Sequence, residues 1–213
     1  MYRVIDLFCG AGGFSRGFAE EGFKIVLGIE NMDVIAETFK VNFPEAEVIV
    51  DDIKNVHALD VLDLVGEPDV VIGGPPCEPF TRANPHRREN PLDRLYSDPI
   101  GNLVLHFIRM VGDLKPKVFV MENVPAITEG ELKEALRREF KRVGYEEIHF
   151  NVLLAEKYGT PSHRLRVFIS NIKIKPKPSG KTIRVIDAIG DLPPPDSIHD
   201  IPNHDPIPLS KRK

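Results

Sequence analysis

Cysteine is almost absent from this chain: 213 residues hold two, Cys9 and Cys77, far apart and outside any CxxC pair. A disulfide framework is therefore excluded, the expected setting is reduced and cytoplasmic, and a cysteine-built zinc site is not available. The seven histidines show no ligand spacing either, so no metal is expected. No apolar run approaches the ~20 residues that a bilayer span requires, and Met1 leads straight into a strand-like segment, so neither a membrane span nor a signal peptide is expected. An excess of positive charge is missing as well: 28 Lys and Arg stand against 32 Asp and Glu, a net charge of −4. Any polyanion would have to be met by a local basic patch. There is no internal repeat. What remains, 42% hydrophobic and 28% charged residues, has the proportions of a folded globular chain, and its length suits one domain with a short appendage.

Short β-branched runs alternate with segments of helical periodicity. Residues 3–8 (RVIDLF), 24–30 (KIVLGIE), 47–53 (EVIVDDI), 69–74 (DVVIGG) and 118–123 (VFVMEN) predict strands, each bounded by Pro, Gly or charge. Residues 14–21, 32–43, 101–114 and 131–142 predict helices; in the third, Leu103, Phe107, Met110 and Leu114 recur at helical intervals. Such alternation implies an α/β fold with a parallel sheet, covering helices and right-handed crossovers. Two further strands are expected at residues 149–155 and 166–171. Beyond them the composition shifts: eight of the 19 prolines fall after Lys175, and the chain closes on Lys211-Arg212-Lys213. This tail can hold one short helix near residues 185–190 but cannot supply a second core.

In sheets of this kind ligands collect beyond the carboxyl ends of the strands. Those ends hold Gly10-Ala11-Gly12-Gly13, Glu30, Asp52, Pro75-Pro76-Cys77 and Glu122-Asn123. The glycine loop follows the first strand and opens the first helix, so backbone can approach a ligand and helix N–H groups can face it. Glu30 falls 20 residues after Gly10, where an acidic side chain can grip ribose hydroxyls. Asp52 could accept from an adenine amine. A nucleoside cofactor follows, weighed against a merely tight turn and a solvated strand end. GxxxxGK[ST] is absent, which removes phosphate cradling of the P-loop kind, and the loop does not fit GxGxxG, which turns the choice from a dinucleotide toward a cofactor without a pyrophosphate. A serine hydrolase lacks its GxSxG elbow.

Cys77 ends Gly73-Gly74-Pro75-Pro76-Cys77, a stiff non-helical turn directly after a buried strand. Cys9, by contrast, reads as a small core hydrophobe. A free thiol of pKa ~8.5 needs modest help to yield the nucleophilic thiolate. Arg82, Arg87, Arg88, Arg94 and His86 follow within residues 80–98. This basic segment is read as a mobile loop that closes over a polyanion rather than as a solvated charge run.

Taken together, DLFCGAGGFSRGF (residues 6–18), Glu30, DDI (51–53), GGPPCEPFT (73–81), ENVP (122–125) and YGTPSHRLRVF (158–168) resemble, in order, the S-adenosylmethionine-dependent cytosine-5 methyltransferases. The late stretch TIRVIDAIGDLPPP (182–195) resembles the family's lead-in to its target-recognition region. The resemblance implies a Rossmann-like class I methyltransferase fold: a mostly parallel, doubly wound sheet with a C-terminal antiparallel strand. It implies a catalytic domain over residues 1–174 that binds S-adenosylmethionine and releases S-adenosylhomocysteine, and a Pro-rich linker over residues 175–213. Cys77 would attack C6 of a cytosine flipped out of DNA, Glu122 would hold N3 and the exocyclic amine, Arg166 would hold O2, and Arg164 its surroundings or a phosphate. In the cofactor site Phe14 would pack on the adenine, Glu30 would bind the ribose, Asp52 the adenine amine, and Leu103 would line the pocket, with Phe8, Gly10, Gly12, Gly13, Asn31, Ile53 and Pro75 around them.

Some positions depart from the family pattern. Glu78 stands where Gln is usual, placing a carboxylate beside the nucleophile, and Ser162 replaces the Gln of a QxRxR motif that keeps Arg164 and Arg166. The family's recognition region and its C-terminal cofactor-pocket motif have no counterpart in these 213 residues, so either a second polypeptide carries them, as in split enzymes of the family, or the chain is a fragment; the split enzyme is the expected case. Two alternatives stay open. PFTR (79–82) and the S-x-R-L-R form of the late motif are similar to the branch that methylates transfer RNA, and a non-catalytic cofactor-binding subunit would retain the same fold.

Overall fold

The computed structural model describes residues 1–201, 204 and 206; the basic terminus at 211–213 lies outside the described residues. Seven strands, β1 (Arg3–Leu7), β2 (Lys24–Glu30), β3 (Glu47–Val50), β4 (Val70–Gly73), β5 (Val118–Asn123), β6 (His149–Leu154) and β7 (Leu165–Ser170), form one sheet in the order β3-β2-β1-β4-β5-β7-β6. The pairs β1–β2, β1–β4, β2–β3 and β4–β5 are parallel, and β7 lies antiparallel to β5. The expected mostly parallel sheet with an antiparallel C-terminal strand is thus observed.

Side chains alternate across the sheet as the pleat requires. Ile5, Leu7, Val71, Phe119, Met121, Val167 and Ile169 face one core; Val4, Val70, Ile72 and Val120 face the other. The first face is covered by α3 (Ala58–Val65), α4 (Pro91–Tyr96), α5 (Leu103–Leu114) and α6 (Leu132–Arg142). Helix α5 is anchored by Val104, Phe107, Ile108, Met110, Val111 and Leu114, all buried. On α6, Leu132, Ala135, Leu136 and Phe140 form the apolar stripe of an otherwise charged helix, and Phe140 stacks on Phe119 with ring centroids 4.5 Å apart. The second face is covered by α1 (Gly13–Glu20) and α2 (Asp33–Asn42), through Phe14, Phe18, Phe39 and Phe43. Each fully buried side chain of this size contributes about 1.5–3 kcal/mol.

The structure departs from the sequence reading in three places. The third strand ends at Val50, not at residue 53, because the two adjacent aspartates bond their own backbone: Asp51 Oδ1 accepts from the N–H of Asp52 (2.6 Å) and Asp52 Oδ1 from that of Lys54 (3.0 Å). Helix α3 was not anticipated. The segment 80–98, expected as a loop, carries α4, capped by Asn90 Oδ1 on the Leu92 N–H (3.0 Å) with Pro91 at its first position.

Two compact units divide the chain: Met1–Leu153 with Leu165–Lys175, and Leu154–Arg164 with the chain from Pro176 onward. The second contains a 3-10 turn at Ala155–Tyr158 and the short helix α7 (Val185–Ile189), close to where the sequence placed one. Within it the Ser179 N–H donates to the Lys157 carbonyl (2.9 Å), and His163 pairs with Glu156 at 2.8 Å. Among the described residues no helix is long and apolar enough to cross a membrane.

Candidate active site

The strand order reverses between β1 and β4, and the crevice beyond their carboxyl ends holds a cavity of about 170 Å³. It is lined by Phe8, Ile29, Glu30, Asn31, Asp51, Asp52, Ile53, Gly74, Pro76 and Leu103. Of the residues expected around a cofactor, Phe8, Glu30, Asn31, Asp52, Ile53 and Leu103 are therefore brought together. Gly10, Gly12, Gly13, Phe14 and Pro75 are not among the lining residues. Phe14 packs edge-on against Phe18 and Phe168 on the far face of the sheet, and Phe8 lines the cavity.

Phe8 reaches that wall by way of a left-handed backbone, φ 66°, which costs a non-glycine residue about 1–2 kcal/mol. The strain is held by neighbours: the Cys9 N–H donates to the Ile29 carbonyl (3.0 Å), and the Gly10 N–H to Glu30 Oε2 (3.0 Å). Glu30 Oε1 also accepts from the Asn31 and Met32 N–H groups at 2.9 and 3.2 Å. The carboxylate is thus fixed by three backbone donors, which leaves about one lone-pair site, on Oε2, to accept from a hydroxyl. Arg109 clamps the floor of the Asp51–Ile53 corner, its Nη2 donating to the carbonyls of Ile53 (2.8 Å) and Val56 (3.2 Å).

Three carboxylates and no basic side chain line the cavity. That donor set repels a pyrophosphate and suits hydroxyls, an amine and a positive charge, next to an apolar wall for a flat ring. The residues present fit S-adenosylmethionine, whose sulfonium is a cation. Beneath the glycine loop Asp6, 1% exposed, accepts from Ser15 Oγ (2.6 Å) and from the Ser15 backbone N–H. It replaces the missing side-chain cap of α1, whose N-cap is Gly12. Burial pushes this carboxyl up to about 7, against the opposing Ser15 bonds. The sequence reading passed over Asp6, although a lone carboxylate inside an apolar strand was a visible signal.

At the end of β4 the turn is tied to β5: Asn123, fully buried, donates from Nδ2 to the Pro75 carbonyl (3.0 Å). The Cys77 carbonyl accepts from both the Phe80 and Thr81 N–H groups at 3.0 Å, which fixes the turn. Glu122 closes β5, its Oε2 positioned 3.7 Å from where a side chain on Gly74 would begin. From β7, Arg166 Nε reaches Glu122 Oε1 at 3.1 Å. Cys77 is half-buried, and desolvation pushes its thiol up; Glu78 and Glu122 act in the same direction and Arg166 against them. Cys77, Glu122 and Arg166 thus belong to one electrostatic cluster. Arg164 belongs to the second unit, where its carbonyl accepts from the Ala155 N–H (3.0 Å). Cys9 is buried, and its thiol lies far above the usual range through desolvation first and then Asp6 and Glu30. No group of His, Cys, Asp and Glu suited to a metal occurs among the described residues.

The doubly wound sheet, the acidic crevice at its reversal and the half-buried thiol beside it define a Rossmann-like class I methyltransferase fold. A solved structure, that of a provisionally assigned DNA modification methyltransferase encoded within a prophage (E. coli), has the same architecture, with a TM-score of 0.74 and 28% identity over 91% of this chain and 56% of that one. Residues 2–204 match the C-5 cytosine-specific DNA methylase family, and the chain belongs to that family. Two proteins of Methanocaldococcus jannaschii, both provisionally named type II methyltransferases, are similar along nearly the whole chain. M.MJ0563P is 46% identical over 99% of this chain and 67% of its own length. M.MjaORF1200P is 43% identical over 96% of this chain and 69% of its own length.

Proposed function

We propose that this chain carries the catalytic part of an enzyme that transfers a methyl group from S-adenosylmethionine to C5 of cytosine in DNA. The observation that carries the reading is the cluster at the ends of β4, β5 and β7: a half-buried thiol, Cys77, with a paired Glu122 and Arg166 3.1 Å apart. The family description supports DNA as the substrate, and the type II names of the relatives support a restriction-modification setting.

Cytosine C5 is a weak nucleophile, and the residues of this site can activate it. Cys77 Sγ, as thiolate, forms a bond to C6, and the ring's electron pair shifts toward C5. Glu122 holds a proton at N3 and Arg166 holds O2, so that the charge developing on the ring is met by preorganised donors. S-adenosylmethionine, when bound, would supply an electrophilic methyl group on sulfur, with S-adenosylhomocysteine as the leaving group. Once C5 is methylated, its proton passes to solvent, the electron pair of the C5–H bond forms the C5–C6 double bond, the C6–Sγ bond breaks and Cys77 returns as thiolate. In a duplex the base must first leave the stack. The chain spans 67–69% of the length of its two archaeal relatives.

Trapping with DNA containing 5-fluorocytosine tests this directly. In the presence of S-adenosylmethionine, and of a complementing chain where one is found, a covalent adduct forms that Cys77→Ser abolishes. Transfer of labelled methyl groups to an RNA pool and not to DNA would overturn the substrate. Cofactor binding is read separately: S-adenosylhomocysteine at 100 times its Kd raises stability by about 2.7 kcal/mol, and Glu30→Gln diminishes the rise.

A further inference from the structure

Three of the four arginines in the segment after Cys77 converge on a single carboxylate. Glu129 follows the 3-10 turn Pro125–Thr128, just beyond β5, and its two oxygens are divided among them. Oε1 accepts from Arg82 Nε at 2.7 Å and faces Arg82 Nη2 at 2.6 Å. Oε2 faces Arg87 Nη1 at 3.5 Å and Arg94 Nη1 at 3.6 Å. The three side chains are graded by exposure: Arg94 5%, Arg87 26% and Arg82 79%. Arg94 is structural, its Nε and Nη2 donating to the carbonyls of Arg88 (2.6 Å) and Glu89 (2.8 Å). Arg87 ties back to the Phe80 carbonyl (3.3 Å). Arg82 projects into solvent.

We infer that Arg82 is a binding residue for a backbone phosphate of DNA, and that Glu129 Oε1 holds the phosphate's place until DNA arrives. The inference rests on the DNA reading above and adds a site to it. The Nε–Nη2 edge that Arg82 presents to Oε1 is the edge a guanidinium offers to phosphate oxygens. Within the cluster three cations share one anion, so one of them can be given up to a phosphate without leaving the anion unpaired. Releasing Arg82 strands no charge, because Oε2 keeps Arg87 and Arg94. The exchange therefore breaks only an exposed ion pair, which is cheap. Phe80 and Thr81 bond the Cys77 carbonyl, so a phosphate held by the next residue, Arg82, is anchored to the turn that carries the nucleophile.

The test is binding of a fluorescent DNA duplex to the full chain over a series of salt concentrations, for the wild type, Glu129→Gln, Arg82→Gln and the double variant. Glu129→Gln tightens binding about two- to fivefold, the factor expected from removing a competing exposed ion pair. Arg82→Gln weakens it and lowers the slope of log K against log salt by about 0.9, the value of one phosphate contact. The double variant matches Arg82→Gln. Arg82 is a surface side chain, so its variant remains informative even if Glu129→Gln folds poorly. Wild type that binds the duplex while Arg82→Gln keeps its affinity and salt slope overturns the phosphate site alone. A Glu129→Gln gain that survives in the Arg82→Gln background overturns the placeholder role. Wild type that, with any complementing chain present, binds structured RNA and no DNA duplex overturns the DNA reading, and this site with it.

Discussion

Arg166 Nε lies 3.1 Å from Glu122 Oε1 across the antiparallel pair of β5 and β7. Glu122 stands opposite Phe168, so Arg166 is its diagonal neighbour on the same face of the sheet. Both side chains are about one-fifth exposed, and the pair therefore fixes the orientation of two groups that share one substrate base in the proposed reaction. Arg166 also opposes the upward pull on the Cys77 thiol.

Replacing Arg166 by Ala removes an oriented donor and the thiol's cationic neighbour together. The rate of 5-fluorocytosine adduct formation falls at least about 100-fold, the usual cost of one such donor, while S-adenosylhomocysteine binding is retained. An adduct rate within a few-fold of wild type would remove Arg166 from the proposed chemistry.

The Cys77 thiol is raised by burial first and by Glu78 second. Its thiolate fraction is accordingly small at neutral pH and grows as the medium becomes alkaline. Glu78→Gln removes the carboxylate contribution and moves the iodoacetamide alkylation profile of Cys77 to lower pH, with several-fold faster labelling at pH 7. Cys9, buried under the glycine loop, stays unlabelled in the folded chain. Peptide mapping of the alkylated protein reads both; identical profiles with and without Glu78 would refute the assignment.

Asp6 gives a pH dependence of opposite sense to that of a salt-bridged carboxylate, whose pKa is lowered on folding. Its folded value of about 7 lies above the ordinary 3.8, so between these limits the native state binds more protons than the unfolded one. The contribution is fully present below pH ~4 and is lost as pH rises to about 7, an effect on the order of 4 kcal/mol before relaxation. Asp6→Asn keeps an acceptor for Ser15 and flattens this part of the curve. Chemical denaturation between pH 4 and 8 measures the difference.

Gly12 has φ +91°, and a Cβ there would lie 2.4 Å from the Phe43 ring. Gly12→Ala combines left-handed strain of about 1–2 kcal/mol with overpacking of about 1–3 kcal/mol. A thermal midpoint lowered by several degrees is expected, along with weaker stabilisation by S-adenosylhomocysteine. A midpoint equal to wild type would mean that the loop and α2 separate freely.

Much of the site was legible because strand ends and catalytic motifs coincide. Glu30, Asp52, Cys77 and Glu122 each close a strand or its turn, and the α/β alternation alone directs those ends to one edge of the sheet. Which of two aromatics lines the cavity was less readable. Phe8 and Phe14 flank the same glycine loop, and only the left-handed turn at Phe8 sends one ring to the crevice and leaves the other on the opposite face. Helix α3 is as long as the anticipated α1 but carries Leu59 and Leu64 on its exposed side, which blurs its apolar stripe, and the β3 boundary escaped notice because the bonds that end it are made by aspartate side chains.

The sequence by itself determined the local chemistry: which segments are strand or helix, where glycine must turn the chain, which thiol is presented and which is packed away. It could do so because propensity, side-chain period and turn preference act over a few neighbouring residues. Tertiary structure alone decided the pairings across long separations: Asn123 on the Pro75 carbonyl, Arg166 on Glu122, and the gathering of Arg82, Arg87 and Arg94 on Glu129, 47 residues away from Arg82. Whether a run of arginines is a solvated stripe or a set of ion pairs depends on what the fold brings opposite it, and no local rule encodes that.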